Sequence, residues 1–277
     1  MNALPAGLDL YLDLPFARYG DRELSMHAFR PQNRPAAPLP AIVVVHGGGW
    51  KIGDKDWAWR LAARMATRGY VTATVSYRLS QEAHFPAQIH DVACAVRFLR
   101  AHAGALGLDP QRIGAMGHSA GGHLVTLLGL AGGVPEFQGS GGWPGIDSRV
   151  QAVCNCCGVN DIALWAPGGQ EADTTKPDHF ASLFLGGPMS ERQELARTAS
   201  PVTYVARSAP PILTVHGVKD DVVPIEQGRL LHRALTAIGA DHRMHELPNS
   251  AHGFGGPNVD AVTDAFFDEI LRTKSEL

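Results

Sequence analysis

Hydrophobic positions alternate near the start of the chain: Leu8, Leu10, Leu12 and Leu14 are each separated by one residue, and a second extended stretch runs from Glu23 to Arg30. A period of two marks a strand, so two antiparallel strands are expected to lead the fold, ahead of the Pro-rich segment Pro31 to Pro40. The pattern then changes. Short apolar runs at Ile42 to Val45, Tyr70 to Val75, Arg112 to Gly117, Val150 to Cys156, Ile212 to His216 and His242 to Leu247 are separated by stretches of helical periodicity. Those stretches are Asp56 to Arg68, Ala87 to His102, Ala120 to Leu130, Ile225 to Ile238 and Asp260 to Arg272. In the second of them Ile89, Val92, Val96 and Leu99 share one face, and Pro86 suits the first turn. Strands that are apolar throughout and alternate with helices predict a mostly parallel twisted sheet with helices on both faces, an α/β fold.

One segment breaks the rhythm. Gly158 to Arg207 is far longer than the connections of about 2 to 6 residues usual in such folds, and it is expected to be an irregular cap inserted into a single domain spanning the chain. Its aromatic residues Trp165, Phe180, Phe184 and Tyr204 would either line a substrate pocket or pack against the sheet. Trp143, in the glycine-rich turn Gly139 to Gly145, is open to the same two readings.

Composition narrows the function. The 277 residues can bury one sizeable core, and the net charge of −3 offers no basic excess for a nucleic-acid partner. No uncharged apolar run approaches the ~20 residues of a membrane span, so none is expected. Three of the four cysteines, Cys154, Cys156 and Cys157, crowd into one apolar run with Cys94 elsewhere, which predicts buried reduced thiols in a strand, not a disulfide framework or zinc site. With no basic-then-apolar leader pattern in Met1 to Leu14, a cytoplasmic location is expected.

The candidate chemistry begins at Gly117-His118-Ser119-Ala120-Gly121, a G-x-S-x-G between an expected strand and an expected helix. A serine nucleophile on so tight a turn needs glycine at the flanking positions, where side chains would clash. Directly after the strand Ile42 to Val45 comes His46-Gly47-Gly48-Gly49-Trp50. Glycines there let backbone N–H groups approach an anionic tetrahedral intermediate, and Gly48, Gly49 and Ala120 are the nominated donors. The same run could be a flexible turn, or a phosphate loop matching G-x-x-x-x-G, but Asp54 stands where that loop requires lysine. Trp50, His118 and Trp165 are nominated to touch substrate. The chain order serine, acid, histidine is then met by Asp220, in the turn after Ile212 to His216, and by His252, in a glycine-rich loop before the last helix. Neither His242 with His245 nor His118 with His123 has a third ligand at metal-site spacing, so no metal and no cofactor is expected.

These motifs resemble the α/β-hydrolases of the esterase/lipase superfamily. H-G-G-G-W, G-H-S-A-G, H-G-x-x-D-x-x-V-P and A-H-G-F occur in this order in bacterial esterases, including carbohydrate ester hydrolases of the feruloyl and acetyl-xylan type. The resemblance covers Pro38 to the C-terminus and implies Ser119 as nucleophile, His252 as base and Asp220 as acid, with Gly48, Gly49 and Ala120 as the oxyanion hole. One departure is the position after the acid, often proline in such proteins and here Asp221, which leaves two adjacent carboxylates as candidates. The implied activity is hydrolysis of short-chain acyl or carbohydrate esters, small-molecule substrates, through an acyl-enzyme. The alternatives are C–N cleavage of the arylformamidase type and a catalytically silent ligand-binding module.

Overall fold

Ile42 and Val44 face one side of the central sheet and Val43 and Val45 the other, and all four are buried. A strand with two apolar faces needs cover on both, and that requirement organises the whole molecule. The computed structural model of the chain describes residues 6–165, 179–253, 255–273 and 276.

The elements follow in the expected order. Strands β1 (Leu8–Tyr19) and β2 (Arg22–Pro31) form the leading hairpin, then come β3 (Leu39–Val45), α1 (Trp59–Thr67), β4 (Val71–Val75), α2 (Ala87–Ala101) and the short α3 (Ala103–Leu106). Next are β5 (Leu108–His118), α4 (Ala120–Ala131) and β6 (Ala152–Cys156). After α5 (Phe180–Leu185) and α6 (Gln193–Thr198), the chain ends with β7 (Ile212–Gly217), α7 (Glu226–Ala237), β8 (His242–Leu247) and α8 (Pro257–Leu271). The eight strands make one sheet in the order β1-β2-β4-β3-β5-β6-β7-β8. Pairings β1·β2 and β2·β4 are antiparallel and the other five are parallel.

One core layer joins residues of α2, α4 and α5 to the sheet, and the other joins α1 and α8 to its opposite face. Helix α1 shows the logic at small scale: it buries Ala62, Ala63, Met65 and Ala66, small or flexible side chains that let it lie close to the strands.

Two expectations are corrected. Gly158 to Arg207 is not irregular: among the described residues it carries α5, α6 and two 3-10 turns, and Phe184 and Leu185 are part of the core. Residues 166–178 of the expected cap lie outside the described residues. Cys154 and Cys156 are in β6, but Cys157 follows it; all four cysteines are buried and free. Among the described residues no helix is long and apolar enough to cross a membrane.

Candidate active site

The parallel strands deliver their carboxyl ends to one edge of the sheet, where loops gather functional groups. Strand β5 ends at His118 and α4 starts at Ala120, so Ser119 alone makes the turn, at φ +55° and ψ −119°. A non-glycine residue in that region is strained, and its neighbours hold it there. The Ser119 amide donates to the Cys156 carbonyl at 2.8 Å, while the Ser119 carbonyl accepts from His123 N–H at 2.9 Å and opens the helix. A Cβ on Gly121 would run into the Val45 carbonyl, and one on Gly117 into the Gly121 carbonyl, so both motif glycines are sterically required.

Ser119, His252 and Asp220 come together although 133 residues separate the first pair and 32 the second. His252 Nε2 lies 3.0 Å from Ser119 Oγ, and Nδ1 lies 2.8 Å from Asp220 Oδ2. With Nδ1–H donating to the carboxylate, Nε2 is left to accept the serine proton. Asp220 Oδ1 accepts from the amides of Val222 and Val223 at 3.0 and 2.8 Å, and His216 Nε2 stands 3.4 Å from Oδ2. Burial by itself would raise this carboxyl's pKa, but the hydrogen bonds from His216, His252 and Val223 outweigh it and hold Asp220 well below the usual carboxylate range. Asp221, the adjacent carboxylate, is exposed.

The glycine loop is fixed from behind. His46 stacks on Tyr77 with ring centroids 4.2 Å apart, and the Tyr77 hydroxyl donates to the carbonyls of His46 and Gly47. Gly48 and Gly49 have φ values of +103° and +58°, a conformation that a side chain at either position would oppose. Among the described residues no protein acceptor takes the amide hydrogens of Gly48, Gly49 or Ala120, which leaves them available as donors.

A cleft of about 420 Å³ opens at Ser119, walled by the glycine loop, His118, Trp165, Phe180 and Val222. His118 sits with its ring centroid 5.0 Å from that of His252; burial, with His252 beside it, pushes its pKa down to about 4. Trp165 donates its indole N–H to the Val222 carbonyl at 3.1 Å, which fixes the wall it makes.

Trp50 does not touch this cleft. Its side chain is fully buried, stacked on Phe184 at 4.3 Å, because the left-handed turn through Gly48, Gly49 and Trp50 folds the indole inward toward α4. The expectation that it contacts substrate is therefore corrected to a supporting role beneath the loop. Tyr204 packs on Phe137, and Trp143 donates to the Phe16 carbonyl beside Phe98, both away from the cleft. Ile52, Trp57 and Val222 line the cleft without having been singled out in the sequence; a second tryptophan soon after the glycine loop was the available signal. His118, Cys157 and His252 bring ligating atoms within 4.8 Å of one another, but burial drives the Cys157 thiol's pKa far up, which favours the protonated form over a metal-binding thiolate.

Comparison with known proteins adds four relationships. A family profile described as BD-FAE matches residues 26–235. Esterase LipC of Mycobacterium tuberculosis is 30% identical over 269 residues, which cover 93% of this chain and 65% of LipC. The chain spans between 56% and 65% of the length of the first curated relatives it matches. Among solved structures, a truncated carbohydrate esterase from gut microbiota superposes with a TM-score of 0.81 at 27% identity, covering 95% of this chain and 97% of the other. Esterase 2 of Thermogutta terrifontis with propionate bound gives 0.75 at 26% identity, covering 96% and 95%.

Proposed function

The chain belongs to the BD-FAE family of α/β-hydrolase esterases, and from that premise we propose that it hydrolyses carboxylic esters through an acyl-enzyme on Ser119. The observation that carries the reading is the continuous hydrogen-bonded chain from Ser119 Oγ through His252 to Asp220, at 3.0 and 2.8 Å. As Oγ attacks the ester carbonyl, His252 Nε2 takes its proton, and the ionised Asp220 stabilises the imidazolium that forms. The amides of Gly48, Gly49 and Ala120 receive the negative charge on the carbonyl oxygen. His252 then returns the proton to the departing alcohol, and the same histidine activates water to release the acid.

The acyl group is short in this reading. The cleft holds about 420 Å³, and Phe180, whose ring lies against Gly49 of the glycine loop, and Trp165 wall it. We read the described part of the 158–207 insertion as the cap that supplies this wall. The experiment is a series of 4-nitrophenyl esters from acetate to laurate, with the matched acetanilide as control. Fastest turnover on the shortest acyl groups, with the anilide slower, is expected. Faster turnover of laurate overturns the short-chain reading, a faster anilide overturns the ester preference, and no turnover of any member overturns the hydrolase reading.

A further inference from the structure

The motif that supplies the acid, His216-Gly217-x-x-Asp220-x-x-Val223-Pro224, carries two residues that the reaction has not used, its histidine and its valine. His216 lies at the end of β7 and is 1% exposed, and it is not among the residues that line the catalytic cleft. We propose that His216 is a positioning residue of the triad: by presenting its Nε2–H to the Asp220 oxygen that holds His252, it limits how strongly the acid pulls on the base, an inference that rests on the ester-hydrolase reading above.

Val223 couples the two side chains. Its amide donates to Asp220 Oδ1 at 2.8 Å, and its carbonyl lies 2.8 Å from His216 Nε2. A carbonyl can only accept, so the His216 proton is on Nε2. The same N–H group stands 3.4 Å from Asp220 Oδ2, the oxygen that takes the Nδ1–H of His252 at 2.8 Å. Nδ1 of His216 has no hydrogen-bond partner among the described residues. It faces Gly228 of α7, where a Cβ would lie 2.9 Å away, so helix packing closes that side and leaves the ring a single hydrogen-bonding edge. The motif glycine completes the arrangement. A Cβ on Gly217 would meet the carbonyls of Ser250 and Ala251, and without one the loop that carries His252 packs against the end of β7, where the Lys219 amide donates to the Ser250 carbonyl at 2.9 Å.

Two imidazole N–H groups at one oxygen compete. Each draws on the charge of Oδ2, so the presence of His216 makes the carboxylate a weaker acceptor for His252. A weaker acceptor stabilises the imidazolium less, and the base stays free to take the Ser119 proton at lower pH. The other titratable groups around the pair do not supply this effect. Burial, with His252 beside it, pushes the pKa of His118, at the end of β5, down to about 4, and burial drives that of the Cys157 thiol, just after β6, far up. Glu246, paired with His216 in the register of β7 and β8, is taken by Arg229 of α7 at 2.8 Å. Lys219 and Asp221, beside the acid in the same turn, are exposed.

The test follows kcat/KM for 4-nitrophenyl acetate against pH in the wild type, His216→Leu and His216→Gln. Leucine removes the donor, whereas glutamine carries an amide N–H at the same reach along the side chain as Nε2. In His216→Leu the acid limb should move to higher pH by about 0.5 to 1 unit, with KM kept within about twofold. In His216→Gln the limb should lie at its wild-type position. A limb unmoved or lowered in His216→Leu, or raised equally in both variants, overturns the inference and leaves the hydrolase reading intact. No turnover by the wild type strikes that reading and the inference together. Where His216→Leu does not fold, the wild type still decides: long-range proton–nitrogen correlation spectra of the histidine rings should place the His216 proton on Nε2, and a proton on Nδ1 alone overturns the inference.

Discussion

Trp50 donates its indole N–H to Nδ1 of His123 across 3.2 Å, and the opposite nitrogen of that imidazole donates to the Ala199 carbonyl at 2.7 Å. The pair ties the glycine loop to helix α4 and fixes His123 as a neutral ring with its proton on Nε2. Burial is the main influence on this ring and pushes its pKa from 6.5 down to about 4; the bond to Ala199 opposes the shift only in part.

A stability prediction comes from this depressed base. Between pH 6.5 and pH 4 the unfolded chain binds a proton at His123 that the folded chain refuses, so folding stability falls as pH falls through that window. The full shift corresponds to about 3 kcal/mol, to which His46, lowered to about 4 by its own burial, adds in the same direction. Urea unfolding measured across the window should show the loss. In His123→Gln the slope of unfolding free energy against pH should shrink by about one proton; an unaltered slope would refute the assignment.

Replacing the nucleophile is the severest change to the site. Ser119→Ala should lower kcat by about 10⁶ while the protein remains folded, because the side chain contributes little packing in the turn. A fluorophosphonate should label Ser119 and no other residue, read by peptide mass spectrometry. Thiol reagents should leave activity intact, since Cys156 and Cys157 are buried with their pKa values pushed far up.

The two adjacent carboxylates should separate cleanly. Asp220→Asn removes the charge that stabilises the imidazolium and should reduce kcat by up to ~10⁴, whereas Asp221→Asn, on an exposed side chain, should stay close to wild type. The reverse ranking would move the acid by one residue.

Two glycines near the catalytic residues should differ as sharply in stability. A methyl group at Gly121 meets the Val45 carbonyl, which is strand backbone and cannot yield, so Gly121→Ala should cost about 3 kcal/mol or more. Nothing lies within 4 Å of a Cβ at Gly253, so Gly253→Ala should melt near the wild-type temperature. Thermal melts of the two variants decide it, and equal melting temperatures would contradict the packing around the elbow.

The chain's own pattern determined the alternation of strands and helices, because each element's periodicity records which of its faces meets apolar neighbours. It also determined the elbow, whose chemistry and steric demands lie within five consecutive residues, Gly117 to Gly121. Asp220 and His252 were legible through their motifs and order, yet the choice between Asp220 and Asp221 belonged to the fold. The turn after β7 presents the amides of Val222 and Val223 to one carboxylate and leaves its neighbour in water. Trp50 was not legible at all: an indole beside a glycine loop can point outward or inward, and Phe184 and His123, distant in sequence, form the place it fills. Likewise Leu12 and Asp13 of β1, His27 of β2 and Trp59 and Arg60 at the start of α1 line one cavity only because these segments meet in space. Periodicity and local motifs are short-range properties of a chain, whereas cavities and ring contacts arise between segments, and only packing brings those segments together.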